Sequence, residues 1–153
     1  MDIRKAEDTE NDCNLVFALS NDPKVRASSF ATEKIEYSCH LRWYEKAIKD
    51  SNLLFYMVFE NNAFVGQIRF KRESAQVEDC IVSLSITKPF RGKGVALTFL
   101  MKGIQKMKED WRRIKYIVAE VKPENAASNK LFESSGFRRV ETGTIYIYKL
   151  EIK

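Results

Sequence analysis

The segment Leu53–Glu60 has an apolar or aromatic residue at every position except its last. A strand with one face in water alternates apolar and polar residues, whereas a continuous apolar run is typical of a strand covered on both faces. Asn61 and Asn62 follow as a turn pair, and in residues 64–72 bulky apolar side chains again alternate with other residues. These residues predict a β-hairpin whose first strand lies inside a sheet that has helices on both sides.

Hydrophobic periodicity predicts further strands and helices on either side of this hairpin. The other predicted strands are Asp2–Lys5, residues 78–87, Tyr116–Val121, residues 137–141 and residues 144–151. The predicted helices are residues 13–20, 37–48, 96–111 and 125–134. Antiparallel strands followed by a strand–helix–strand–helix passage predict a mixed sheet in a three-layer α+β arrangement.

The helix that contains residues 37–48 has two candidate faces. Apolar residues at helical spacing predict that its core face consists of Tyr37, Leu41, Tyr44 and Ile48. A neighbouring stripe is predicted to border a cleft and consists of His40, Trp43 and Ala47.

Length and composition limit the function classes. A chain of 153 residues without repeats or linkers predicts a single domain over residues 1–153. The single His and three unpatterned Cys argue against a metal site and favour reduced thiols in the cytoplasm. No apolar run could span a bilayer, and no signal peptide is recognisable, so no membrane association is expected. The net charge of +5 is scattered, which favours a solvated surface or a phosphate-bearing small ligand over nucleic acid.

Residues 86–96 form a basic turn between a predicted strand and a predicted helix. At such a helix start, free N–H groups and the helix dipole favour an anion. Gly92 and Gly94 would let an anion approach the backbone, and Arg91 and Lys93 add positive charge. The alternative is a flexible basic turn that binds nothing. A Walker A loop is excluded because Lys93 is not followed by Ser or Thr, and a dinucleotide fingerprint because Leu97 replaces its third small residue.

Two motifs identify a family resemblance. Residues 91–96, Arg-Gly-Lys-Gly-Val-Ala, resemble the Gln/Arg-x-x-Gly-x-Gly/Ala signature of the GNAT superfamily of acetyl-CoA-dependent N-acetyltransferases. Residues 125–128, Asn-Ala-Ala-Ser, together with residues 131–132, Leu-Phe, and 136–137, Gly-Phe, are similar to the family's Asn-x-x-Ser/Ala helix that ends in Gly-Phe. The resemblance covers residues 82–140 and implies a twisted mixed sheet of six or seven strands with about four helices.

The resemblance also implies which residues contact the cofactor, acetyl-CoA. Its pyrophosphate would bind the N–H groups of Arg91, Gly92, Lys93, Gly94, Val95 and Ala96. Its pantetheine arm would pair with the strand backbone at Leu84, Ser85 and Ile86. Further contacts to the cofactor would come from Asn125, Lys130 and Phe132. Asn125 is also a good helix N-cap, and we expect it to serve both roles.

The implied reaction is attack of a neutral primary amine on the thioester. An alkyl amine with a pKa of ~10.4 is protonated at neutral pH, and freeing it costs about 4–5 kcal/mol, so a base is needed. Glu120 is the first candidate because it is a lone charge in an apolar strand, where burial would favour its taking a proton. The alternative is a solvated or Arg-paired Glu at a strand end. Glu78 and Asp79 are reserves, and His40 is a further candidate, although a hydrogen-bonded His beside the core is the commoner outcome.

Phe132 departs from the family pattern. Many members have Tyr here as the acid for the departing thiolate, and Phe cannot donate a proton. Tyr146 or Tyr148 could serve instead, or water, or the thiolate could leave unassisted because its pKa is only ~8.5. A backbone N–H near Ile86 would stabilise the developing oxyanion.

The first half of the chain would choose the acceptor amine. Residues 21–26, 28–30 and 40–43 are similar to amino-sugar and nucleotide-sugar N-acetyltransferases of surface-polysaccharide pathways. That likeness implies substrate contacts from Phe30, Arg42, Trp43 and Arg69, with Arg26 a further candidate to bind phosphate or hydroxyl groups. The alternative is that the aromatics belong to the core and the arginines to the surface.

Two other functions stay open: a protein or peptide N-acetyltransferase, and a non-catalytic protein that binds acetyl-CoA. The expected partners are a small-molecule amine and, at most, a second copy of the chain, as a monomer or homodimer.

Overall fold

The computed structural model describes residues 1–152, which carry seven strands in one sheet and five α-helices. The strands are β1 Asp2–Lys5, β2 Leu53–Glu60, β3 Ala63–Lys71, β4 Asp79–Ile86, β5 Tyr116–Val121, β6 Arg138–Thr142 and β7 Tyr146–Glu151. The helices are α1 Glu10–Ser20, α2 Pro23–Ser28, α3 Tyr37–Ala47, α4 Val95–Asp110 and α5 Ala126–Ser134. The sheet order is β1-β2-β3-β4-β5-β7-β6, and β4–β5 is its parallel pair. The predicted mixed α+β fold is confirmed.

The sheet is covered on both faces, as the apolar segment in β2 predicts. Side chains from one face of the sheet form a core with α4 and α5 that includes Ile68, Phe99 and Ile117. The opposite face packs Phe55 and Met57 against α1 and α3. Alternate residues of β2 therefore enter different cores, which explains why almost every position of that strand is apolar.

The hairpin turn and the end of α5 also follow the sequence. Asn61 and Asn62 both have positive φ, 49° and 68°, as a tight two-residue turn requires. Gly136 has φ 91° directly after the C-cap of α5, which is the left-handed position that ends many helices.

Helix α2 is not among the helices predicted from the sequence, because the segment Asn21-Asp22-Pro23 has the residue types of a turn. Asp22 instead caps a short helix: its carboxylate accepts hydrogen bonds from the N–H groups of Lys24 and Val25. Pro23 occupies the first turn, where its fixed φ suits a helix and its missing N–H costs nothing. Helix α1 likewise begins earlier than predicted, at Glu10, because Thr9 accepts from the Asp12 N–H.

The predicted core face of α3 is partly wrong. Tyr37 and Leu41 are 41% and 38% exposed, whereas His40 and Ala47 are buried beside Tyr44. The helix is rotated relative to the prediction because the imidazole Nε2 of His40 donates to the Cys13 carbonyl of α1, 3.0 Å away. A polar ring with a buried partner thus takes a core position that apolar periodicity assigned to other residues.

No helix within residues 1–152 is long and apolar enough to cross a membrane.

Candidate active site

Strands β4 and β5 separate part-way along their length. They pair only from Asp79–Ile81 to Tyr116–Val118, although β4 continues to Ile86 and β5 to Val121. The edge of β4 that faces β5 is therefore unpaired beyond Ile81. A gap opens there in the middle of the sheet, between two strands that are otherwise neighbours.

The backbone of β4 directs specific groups into this gap. The Thr87 N–H donates to the Val65 carbonyl at 2.8 Å, and the next pair in the register is Gly66 with Ile86. In an antiparallel ladder hydrogen-bonded pairs alternate with pairs that point outward, so Ile86 and Leu84 turn their N–H and C=O groups away from β3. Apart from the Ile86 C=O, which accepts a hydrogen bond from the Arg91 side chain, those groups can pair with an added extended chain.

The loop before α4 forms the end wall of the gap. Gly92 and Gly94 both have φ 72°, the left-handed conformation that favours glycine, and Gly94 is the N-cap of α4. No side chain caps α4 and its first turn contains no acidic residue, so the N–H groups at this helix start have no carboxylate partner. A Cβ added at either glycine would meet nothing within 4 Å, which leaves open space over the loop.

Arg91 ties this loop to the start of α2. Its Nε donates to the Ile86 carbonyl at 2.9 Å, and its Nη2 lies 2.9 Å from Oδ1 of Asp22, the N-cap of α2. Burial of the Asp22 carboxylate acts to raise its pKa. The Arg91 guanidinium and the N–H groups of Val25 and Lys24 outweigh this effect, so the pKa of Asp22 is lowered. The positive charge of Arg91 is thereby neutralised by the Asp22 carboxylate. The backbone N–H of Arg91 donates to the Lys88 carbonyl.

A cavity of about 650 Å³ joins the gap, the loop and α2. On the sheet face opposite α4 it is lined by polar residues of three strands: Gln67 and Arg69 of β3, Ser83 and Ser85 of β4, and Glu120 of β5. On the helix side it is lined by Ser20, Lys24, Val25, Arg26, Ser28, Ser29 and Phe30. One end is thus an unpaired strand edge beside a helix start without a side-chain cap, and the other is a polar chamber.

Comparison with known proteins decides the family. Residues 2–138 match the family model of the acetyltransferase (GNAT) domain. The chain belongs to the GNAT acetyltransferases. It is 25% identical over 132 residues to the acetyltransferase PseH of Campylobacter jejuni, which covers 86% of this chain and 80% of that protein.

Solved structures show the same fold. Spermidine N-acetyltransferase of Vibrio cholerae, crystallised with CoA and spermine, superposes with a TM-score of 0.85 at 18% identity, covering 98% of this chain and 94% of that one. C. jejuni PseH with acetyl coenzyme A superposes with a TM-score of 0.75 at 21% identity, covering 99% of each chain. As a GNAT member this acetyltransferase is an enzyme that uses acetyl-CoA as its acetyl donor.

Most residues assigned to the cofactor from the sequence line the cavity of this acetyltransferase. They are Leu84, Ser85, Ile86, Arg91, Gly92, Gly94, Val95, Ala96, Asn125 and Phe132. Lys93 and Lys130 are exposed and do not line it. Asn125 is the N-cap of α5, since its Oδ1 accepts from the Ser128 N–H at 3.1 Å, so half of its expected double role is present.

Glu120 lines the cavity, but the burial expected for it is wrong. It alternates with the buried residues Ala119 and Val121 and is itself exposed. The side chain points away from the core of α4 and α5 into the chamber where β5 has left β4. Glu120 is the single carboxylate among the lining residues in the described part of the chain.

The other three candidate bases lie elsewhere. His40 is buried and does not line the cavity, and burial lowers its pKa although its hydrogen bond to Cys13 acts the other way. Glu78 precedes the paired end of β4, away from the gap, and its carboxylate is 2.9 Å from the Lys115 ammonium. That hydrogen bond lowers the pKa of Glu78. Asp79 lies in the same region, where its backbone is opposite Tyr116 in the β4–β5 pair.

Neither of the two candidate tyrosines lines the cavity. The hydroxyl of Tyr148 donates to Asn129 at 2.6 Å, and burial and the Glu133 charge raise the pKa of Tyr148. Tyr146 lies beneath the Arg139 guanidinium. Phe132 is buried against Phe137 and Tyr148, so it completes the hydrophobic wall of the cavity.

Some of the predicted acceptor contacts line the cavity and others do not. Arg69 and Phe30 line the cavity, Phe30 being 56% exposed, and Arg26 lines it as well. Arg42 is exposed outside it. Trp43 does not line the cavity directly but stacks on the Arg69 guanidinium, 4.9 Å from its ring centroid.

Gln67 and Gly66 also belong to this site but were not predicted from the sequence. Gln67 is buried in β3, its Nε2 donates to Ser85 Oγ at 3.1 Å, and its Oε1 has no hydrogen-bond partner within residues 1–152. Gly66 faces Ile86, where a Cβ would overlap the Ser85 carbonyl oxygen. A polar residue and a glycine in an otherwise apolar strand were the available signals.

Proposed function

We propose that this acetyltransferase acetylates the primary amine of a small molecule, and that the acceptor is an amino sugar or a nucleotide-linked amino sugar. The observation that carries the proposal is the chamber beside the gap. Five serines line it, Ser20, Ser28, Ser29, Ser83 and Ser85. Hydroxyl side chains can both donate and accept hydrogen bonds, which suits an acceptor rich in hydroxyl groups.

The donor end of the cavity fits acetyl-CoA, which supplies an acetyl group activated as a thioester. We assign the pyrophosphate to the N–H groups of residues 92–96, because the helix start and the two open glycines form an anion-binding concavity. We assign the pantetheine amides to the outward N–H groups of Leu84 and Ile86 and to the C=O of Leu84, because the Ile86 C=O already accepts from Arg91. Asn125 would contact the same arm from the start of α5.

We assign the base to Glu120. Its carboxylate lies in the chamber, near where the acceptor amine must meet the end of the gap. The implied reaction needs a base to remove the amine's proton, and Glu120 would accept this proton directly or through a water. Within residues 1–152 no phenol lines the cavity, so the leaving thiolate, whose conjugate thiol has an ordinary pKa of ~8.5, would take its proton from water.

Our proposals on domain, compartment, oligomeric state and partners are the ones that the sequence predicts. None of Cys13, Cys39 and Cys80 is in a disulfide, which is typical of a reducing compartment. We propose a single-domain protein over residues 1–153 that works in the cytoplasm as a monomer or homodimer on a small-molecule amine, without nucleic acid.

Release of free CoA thiol from acetyl-CoA tests the proposed acceptor class. The panel contains glucosamine, a uridine-diphosphate amino sugar, an aminoglycoside, spermidine and a peptide with a free N-terminus. We expect the highest kcat/KM for an amino sugar or its nucleotide-linked form. A higher kcat/KM for the peptide or spermidine would contradict the proposal, and acetyl-CoA binding without thiol release on any amine would indicate a non-catalytic protein.

A further inference from the structure

Arg69 is a cation without an anion. Its guanidinium stacks on two aromatic rings, 4.9 Å from the centroid of Trp43 and 5.6 Å from that of Phe55. No carboxylate within residues 1–152 forms an ion pair with it. Burial and then the nearby charge of Arg26 lower the pKa of Arg69 to about 10. It still carries its charge at neutral pH, and that charge is poorly compensated by the protein.

The neighbouring arginines are already engaged in the fold. Arg26 donates to the carbonyls of Ser20, Ala31 and Glu33, which fixes the segment after α2. Arg91 pairs with Asp22. Arg69 has no such structural use, yet it lines the cavity and is held in place by the rings behind it.

We propose that Arg69 binds an anionic group of the acceptor, a phosphate or a carboxylate, on the far side of the chamber from the amine. This inference rests on the proposed function and narrows it to acceptors that carry a negative charge. The planar guanidinium forms paired hydrogen bonds to either group, and the aromatic stacking keeps it oriented for them.

The register of the sheet gives the separation between the two ends of such an acceptor. Arg69 pairs with Ser83 across β3 and β4, and the β4–β5 register extends from Ile81 opposite Val118 towards Ser83 and Glu120. Arg69 and Glu120 are therefore two strands apart, about 10 Å at the backbone, and the gap increases this distance. The guanidinium leans farther away, over Phe55 of β2.

An acceptor that reaches both residues therefore holds its amine and its anionic group well apart, on the scale of the two-strand separation. An α-amino acid, whose two groups share one carbon, cannot reach both residues. A polyamine such as spermidine offers no anion and would bring additional positive charge beside Arg69. Between the two ends, the unpartnered Oε1 of Gln67 can accept a hydrogen bond from a hydroxyl or an amide of the acceptor.

Binding of simple anions tests this inference without knowledge of the acceptor. Inorganic phosphate and, separately, acetate are titrated at constant ionic strength into protein saturated with CoA, so that the loop before α4 is filled. Affinity and melting temperature are measured for wild type, Arg69→Gln and Arg69→Met. The matched control is Arg72→Gln, because Arg72 also stacks on an aromatic ring, Trp111 at 4.1 Å, but does not line the cavity.

We expect phosphate to raise the melting temperature of wild type and of Arg72→Gln, and both Arg69 variants to weaken phosphate binding about tenfold. Without anion, the Arg69 variants should melt no lower than wild type, because they remove an uncompensated charge. The acetate titration shows whether a carboxylate is accepted as well as a phosphate. Equal phosphate affinity in wild type and Arg69→Gln, or a lower melting temperature with unchanged affinity, would overturn the inference in favour of a purely structural arginine.

Failure of the proposed role of Arg69 can be distinguished from failure of the proposed function. Acetyl transfer to amino sugars by both proteins, with the kcat/KM preference for the phosphate ester over the neutral amino sugar lost in Arg69→Gln, would support both. A preference for the phosphate ester that survives in Arg69→Gln would refute the role of Arg69 and leave the acetyltransferase activity standing.

Discussion

Glu120→Gln is expected to lower kcat at pH 7 by about 100-fold or more, because the amide cannot take the proton of the acceptor ammonium. At pH 9 the loss should be several-fold smaller, since more of an amine with a pKa near ~10.4 is already deprotonated in solution. The KM for acetyl-CoA should stay within about twofold of wild type, because the assigned cofactor contacts lie on β4, α4 and α5. Steady-state thiol release at the two pH values measures all three.

The matched control is Glu124→Gln, an exposed Glu in the turn before α5 that does not line the cavity. It should retain wild-type kcat at both pH values. Equal rates for Glu120→Gln and wild type at pH 7 would move the base elsewhere, and a uniform loss at pH 7 and pH 9 would point to substrate positioning instead of proton transfer.

Gly66→Ala is expected to weaken CoA binding about tenfold or more and to destabilise the fold by about 2 kcal/mol. The added Cβ would overlap the Ser85 carbonyl oxygen and lie 3.1 Å from the Ile86 Cα. Both are backbone atoms, so relief requires displacement of β4 at the residue whose N–H and C=O face the gap. Calorimetry with CoA and thermal unfolding measure the two effects.

Gly143→Ala serves as the control, because a Cβ there meets nothing within 4 Å. It should leave both the melting temperature and CoA affinity unchanged. If Gly66→Ala folded and bound CoA as tightly as wild type, the outward edge of β4 would not be the binding surface.

Much of the fold could be predicted from local pattern. The continuous apolar run of β2 predicted burial on both faces, and the Asn61–Asn62 pair predicted the hairpin turn that positive φ confirms. Periodicity did not predict the orientation of α3, because the hydrogen bond of His40 to Cys13 joins residues 27 apart in the chain. A pattern within one helix carries no information about such a partner.

The arrangement of the site residues relative to one another was predictable only where they lie close together in the sequence. Residues 91–96 form a contiguous segment, and their proposed role followed from the strand–turn–helix context and the family motif. The chamber brings Arg69, Ser83 and Glu120 together from three strands, so their relation depends on sheet order and register. The apolar neighbours of Glu120 suggested a buried carboxylate, whereas strand alternation turns it to the open face where β4 and β5 separate.

Amide hydrogen exchange with and without CoA tests the central claim most directly, that the unpaired edge of β4 and the start of α4 hold the donor. Binding should slow exchange at the N–H groups of Leu84 and Ile86 and of residues 92–96. The N–H groups in the already paired region of Asp79–Ile81 should change little, which makes them an internal control. CoA binding that leaves Leu84, Ile86 and residues 92–96 unprotected would contradict the account.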